Sequence, residues 1–202
     1  MNTSALFRTF VVLLAVVASS AVASAQQKKS TGPADQAKKS TGPADQTKKS
    51  TSPADQAILL GQFGEWGAYK ATPGGKKICF ALSKPTSATT EPSGRSRDPS
   101  YAFVSTRPAE KVKNEVSIIV GYPQKPGHDA SAAIGSATYA MYSQNDGAWV
   151  KNAAEEAQMV ETMRKGSDLV VKSESARGTK STDTYSLKGV AQALDRVAEE
   201  CR

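Results

Sequence analysis

The hydrophobic pattern of this chain changes character three times. Residues 10–18 form one unbroken apolar run behind Arg8. Residues 26–57 carry no large apolar side chain at all. From Ile58 onward, short runs of alternating character take over, which is the signature of half-buried strands. In residues 65–70, Trp66 and Ala68 share one side. In residues 77–83, Ile78, Phe80 and Leu82 share one face while Cys79 and Ala81 share the other. Gly74-Gly75 between these two runs predicts a hairpin turn. Residues 101–106 and 115–122 are two further strands, punctuated by Pro108 and Pro123. Residues 137–142 and 148–150 flank Asn145-Asp146-Gly147, a strong hairpin signal. Residues 168–172 and 183–187 form a last pair.

Two helices interrupt the strands. Asn152 followed by Glu155 has the spacing of a capping box. Ala153, Ala157, Val160 and Met163 then recur at helical spacing until Gly166 stops the run. A second helix is predicted to begin near Leu187, with Gly189 weakening its first turn without ending it. Its stripe is Leu187, Val190, Ala191, Leu194, Val197, Ala198 and Cys201. The pattern therefore predicts one mainly β domain over residues 58–202, with one or two helices including an amphipathic C-terminal one. Alternation alone leaves sandwich and barrel open.

The first apolar run changes the picture of where this domain works. It is followed by Ala23-Ser24-Ala25, which fits the small-x-small rule for signal cleavage between Ala25 and Gln26. The run is too short to span a bilayer, which takes roughly 20 apolar residues. Residues 1–25 thus read as a signal peptide, and no cysteine stands directly after the apolar run to carry a lipid anchor. The mature chain is expected to have no transmembrane segment and to be periplasmic, outer-membrane-associated or secreted. Residues 26–57 hold three copies of a ten-residue unit, Lys-Lys-Ser-Thr-Gly-Pro-Ala-Asp-Gln with one spacer, the last copy having Ser52 in place of Gly42. No unit can bury a face against its neighbour, and the composition is that of disorder, so a spacer of roughly 30 Å mean reach is expected.

The compartment gives the cysteines meaning. Cys79 lies on a strand face beside the small Ala81, and Cys201 on the buried stripe of the last helix. Two cysteines in an exported chain predict one disulfide, Cys79–Cys201. Charge adds little. Of the net +7, one charge lies in the signal, three in the repeats and three in the domain. No single face or run concentrates Lys and Arg, which argues against nucleic acid as a partner.

The search for chemistry is short. His128, the one histidine, sits in Pro126-Gly127-His128-Asp129 near Ser131. Adjacency in sequence does not make the nucleophile–base geometry that catalysis needs. Three Cys and His residues in all are too few for a structural zinc site. Gly74-Gly75-Lys76-Lys77 lacks the spacing of a phosphate loop. Glu155 and Glu156 read as a solvated helix face. Arg177-Gly178-Thr179, with Lys172 and Lys180, reads as a charged turn that keeps a sheet edge soluble. No catalytic residue, metal ligand or cofactor-binding residue is assigned, and no enzyme is expected.

Several blocks together resemble the invasion-associated locus B family. They are Gln62-Phe63-Gly64-Glu65-Trp66 with Lys77-Ile78-Cys79, residues 114–123, and Asp146-Gly147-Ala148-Trp149. The last is Ser175-Ala176-Arg177-Gly178-Thr179 with residues 183–189 and the terminal Cys201. The resemblance implies an exported envelope domain with an immunoglobulin-like β-sandwich core, and brings no catalytic residues with it. The family name links it to host-cell invasion. The expected function is a non-enzymatic envelope module, presenting loops at residues 84–98 and 124–133 to an envelope or host protein or glycan. A periplasmic maintenance or stress accessory, and a hydrolase or envelope-remodelling enzyme using His128 or buried carboxylates, are the alternatives.

Overall fold

A computed structural model of the chain describes residues 57–202. The signal peptide with its Ala25–Gln26 cleavage and the three repeats lie outside the described residues. Eleven strands and two helices follow one another there. They are β1 (Ile58–Phe63), β2 (Trp66–Ala71), β3 (Ile78–Ser83), β4 (Ser87–Glu91), β5 (Tyr101–Arg107), β6 (Val112–Ile119) and β7 (Ala130–Ile134). Then come β8 (Ala137–Gln144), β9 (Gly147–Val150), α1 (Ala153–Lys165), β10 (Asp168–Glu174), β11 (Lys180–Ser186) and α2 (Val190–Glu200). All strands join one antiparallel sheet in the order β1-β2-β3-β5-β6-β9-β8-β7-β10-β11-β4. The fold is mainly β, as the alternation predicts. The sheet is open, yet it folds over so that its two halves face one another across the core. Trp66 on β2 donates its indole N–H to the carbonyl of Ser186 at the end of β11, 2.9 Å away.

Which face turns inward is decided by the helices and not by side-chain size. On β3 the buried residues are Cys79, Ala81 and Ser83, while the larger Ile78, Phe80 and Leu82 are only half-buried. Ala68 of β2 is likewise buried. α2 packs against β1, β2 and β3, and the small residues let its Val190, Ala193, Leu194 and Val197 approach the sheet closely. The Cys79–Cys201 disulfide ties the end of α2 to β3 across a separation of 122 residues. Lys70 on β2 pairs with Glu200 at 2.9 Å beside it.

Four expectations need correction. Residues 84–98 are not all loop, because β4 pairs with β11. Its Ser, Thr and Ala residues are largely exposed, so it has no apolar alternation to reveal it. Residues 124–133 likewise end in strand, since β7 begins at Ala130. α2 starts at Val190, after Gly189 and not before it. Gly189 has φ 92°, a conformation no helix contains, and a Cβ there would collide with the Phe63 carbonyl. In α1 the buried stripe is Met159, Val160 and Met163, with Ala153 and Ala157 exposed. Apolar character alone did not separate the alanines from the methionines, whose larger surface makes burial worth about 1.5–3 kcal/mol each. β1, absent from the sequence expectations, forms one edge of the sheet. It has no charged residue and leaves Ile58 60% and Leu59 53% exposed. The other edge, β4, is polar and lies between Pro85 and Pro92.

Glu156 is not part of a solvated face. Its carboxylate accepts the backbone N–H of Val116 at 2.8 Å, on β6 where β9 no longer pairs. Burial pushes this carboxyl above its ordinary range, and the Val116 hydrogen bond opposes that only in part. A raised folded-state value means that the unfolded chain loses this proton first. Stability therefore falls as pH rises from the ordinary glutamate value through the raised one. Glu156→Gln should flatten that part of the stability-versus-pH curve, as read by urea unfolding at a series of pH values. A second expectation concerns the disulfide. Replacing Cys79 and Cys201 together by Ser should cost about 2–5 kcal/mol, measured by denaturant unfolding against the oxidised protein.

Candidate functional site

Four connections meet at one end of the folded-over sheet. The β4–β5 connection brings Arg95, Arg97 and Asp98, and the segment after β6 brings Gly121, Tyr122 and Pro123. The β8–β9 turn brings Asn145 and Asp146, and the β10–β11 turn brings Ser175, Arg177 and Thr179. They are stitched to one another through their backbones. Asp98 N–H donates to Gly121 at 3.1 Å, Gln124 to Asn145 at 2.8 Å, and Ala176 to Pro123 at 3.0 Å. The buried Gln124 adds side-chain bonds, donating to Gly147 at 2.7 Å and accepting from the Ser143 hydroxyl at 2.9 Å. Ser175 Oγ accepts from the N–H groups of Arg177 and Thr179, which shapes the β10–β11 turn. Between these segments lies a cleft of about 730 Å³.

One lining residue of the cleft, Arg97, is held by a buried ion pair. Arg97 meets the fully buried Asp183 of β11 in a two-pronged contact and also donates to the Val120 carbonyl at 2.7 Å. The Arg97 guanidinium lies 5.9 Å from the centre of the Tyr122 ring. The Tyr122 hydroxyl is held in turn by Ser173 and Ser181, at 2.5 and 2.6 Å. The hydrogen bond to Asp183 raises the Arg97 pKa further, against the opposing effect of burial. Burial also drives the nearby Tyr185 hydroxyl well above its ordinary value. Both groups therefore stay protonated at neutral pH.

The rim differs from this buried pair. Arg95, Asp98, Asn145, Asp146 and Arg177 are exposed. Among the described residues none of the four charged ones enters an ion pair with another described residue. The rim thus presents charged and amide ends, able to donate and accept hydrogen bonds, on a fixed backbone. The loop at residues 84–98 thus contributes here through its second half. Arg177 contributes too, and its expected role in protecting a sheet edge is corrected: β11 is covered by β4, so the β10–β11 turn is not at an edge.

His128 is placed elsewhere. It lies with Asp129 and Ser131 around a smaller hollow of about 420 Å³, formed with β10 and β11. Its Nδ1 is 3.9 Å from Glu174, and its side chain is 54% exposed. Glu174 is already engaged by Lys125 at 2.8 Å, which with its hydrogen bond lowers the Glu174 pKa. Among the described residues no hydrogen bond links His128 to a hydroxyl nucleophile, and no group of three or more Cys, His, Asp or Glu side chains is arranged to hold a metal. No described helix is long and apolar enough to cross a membrane.

Most of the cleft was not legible beforehand. Arg97 sits in a Ser/Arg-rich stretch that reads as an ordinary loop. The signal available was the set of blocks carrying the family resemblance. Tyr122, Pro123, Asp146, Ser175, Arg177 and Thr179, scattered in sequence, all line this one cleft.

Because Arg97 and Asp183 are buried together, removing one partner strands the other. Asp183→Ala should cost about 3–5 kcal/mol, while Arg97→Met with Asp183→Leu should recover most of the loss. Chemical denaturation of the two variants beside the unaltered protein checks this.

A family model described as Invasion associated locus B (IalB) protein matches residues 70–198. The match runs from β2 through most of α2. No curated protein and no solved structure matched in the corresponding searches.

Proposed function

The chain belongs to the invasion-associated locus B family, and from that premise we propose that it is an exported, non-enzymatic interaction module of the cell envelope. Residues 58–202 are the binding unit, delivered by the signal peptide ending at Ala25. The disulfide between Cys79 and Cys201 suits an oxidising compartment, on the periplasmic side or beyond the outer membrane. The partner is an envelope or host protein or glycan, and it docks at the cleft.

One observation carries this reading. Four sequence-distant segments are locked together by backbone hydrogen bonds into a cleft whose exposed Arg95, Asp98, Asp146 and Arg177 make no ion pair with another described residue. Building such a rigid frame around free charges is useful for binding, where preorganisation spares the cost of ordering the site.

A photo-crosslinking residue placed at Asn145 or Arg177 in living cells should give a discrete adduct, and one at the exposed Glu161 of α1 should not. Identical products from all three positions, or none from the cleft, would sink the proposal. His128→Ala should complement a deletion strain fully. Loss of complementation with intact folding would favour the hydrolase reading instead.

A further inference from the structure

The outer face of the sheet, turned away from both helices, carries a feature that the cleft does not use. Opposed residues of antiparallel strands share a face. The pairings Gly67↔Leu82, Leu82↔Phe103, Phe103↔Ser117, Ser117↔Trp149 and Trp149↔Tyr142 therefore set one straight row across β2, β3, β5, β6, β9 and β8. Strands lie about 4.8 Å apart, so the row is about 24 Å long and Phe103 stands about 10 Å from Trp149.

Two rings in and beside this row, Tyr69 and Trp149, lie over glycines, while Phe103 is tilted 53° to Phe80 and 51° to Tyr101. The Tyr69 ring folds back over Gly67, within 2.6 Å of where a Cβ would stand, and the Trp149 ring occupies the corresponding space over Gly147. Tyr142 stacks on Trp149 with ring centres 5.6 Å apart and planes at 25°. Tyr69 stacks on Phe80 at 5.4 Å and 14°. Ser117 puts a small hydroxyl between the two ring pairs, and Tyr142 is 42% exposed.

We propose that this row is the binding track of an extended, β-linked, uncharged polysaccharide. The flat faces of such sugars carry C–H bonds with partial positive charge, which the negative face of an aromatic ring attracts. Two stacked ring pairs on the same face, Tyr69 with Phe80 and Tyr142 with Trp149, offer such faces at separate points of the track. Charge points the same way. The row itself holds no charged side chain, and the charges beside it are of both signs: Arg107 pairs with Glu110 and Glu115 at 2.7 and 2.9 Å, and Lys84 lies 5.9 Å from the centre of the Tyr101 ring. An uncharged polymer is the complement of an uncharged track. Serine and tyrosine hydroxyls interleaved with rings also suit sugar hydroxyls better than the continuous aliphatic surface of a protein core.

The probe is the disulfide-intact mature chain titrated with cellohexaose and with chitohexaose. Trp66 is fully buried, so a change in emission reports on Trp149. Saturable binding by calorimetry, with an emission shift, is expected for at least one hexasaccharide. Tyr142→Ala, at an exposed position that should fold normally, and Ser117→Glu, which places a charge mid-row, should each weaken it roughly tenfold. Arg177→Ala, at the cleft, should leave it unchanged. Several results would overturn the track. One is no binding to either sugar or to insoluble cellulose and chitin. Another is affinity that survives both row variants. A third is loss on Arg177→Ala alone, which would move the glycan to the cleft. The last is an emission shift that follows protein concentration without sugar, which would make the occupant a second copy of this chain. Crosslinking from the cleft is read separately, so failure of the track leaves that proposal standing or falling by its own test.

Discussion

The close seating of α2 on β2 and β3 is the contact on which the remainder depends. Helices need room, and Ala68, Cys79 and Ala81 provide it by being small. Once that face is committed to the helix, strand geometry leaves no choice about the other: Tyr69, Phe80 and Leu82 must turn outward. The disulfide and the Lys70–Glu200 pair hold the helix end in register with the strands. One packing decision thus produces both a closed core and an aromatic outer surface.

From that seating the fold-over of the sheet follows. Trp66 reaches the carbonyl of Ser186 only if the halves of the sheet face each other, and Asp183 on the same strand as Ser186 is then carried to Arg97. The buried ion pair contributes little net stability relative to an apolar pair. Its consequence is positional: Arg97 is fixed between Val120 and Tyr122, and the connection that carries it becomes one wall of the cleft.

Legibility in the sequence tracked how much each residue type is forced. Strong alternation, as in Cys79–Ser83 or the run before Pro123, marked strands well, and the two cysteines, read together with the expected signal peptide, marked the bridge. β4 escaped because an edge strand of Ser and Thr exposes both faces. β1 escaped because Ile-Leu-Leu is a short apolar run without period. In α1 the apolar alanines drew the expected stripe to one side of the buried Met159, Val160 and Met163, and Glu156 looked solvated because nothing local says that a strand end lies beneath it. The outer row had a signal that was not used. Gly67-x-Tyr69 and Gly147-x-Trp149 put a ring two residues after a glycine, on the same face, with an empty place to lie in.

The two margins of the sheet are chemically unequal, and that asymmetry limits how molecules can stack. At β4 the flanking prolines and exposed polar side chains discourage another strand. At β1 an uncharged strand with bare Ile58 and Leu59 discourages nothing. With only one receptive margin, strand addition between copies is self-terminating: two molecules can meet margin to margin about a two-fold axis, and neither offers a place for a third. Such a sheet carries its own stop against fibre growth.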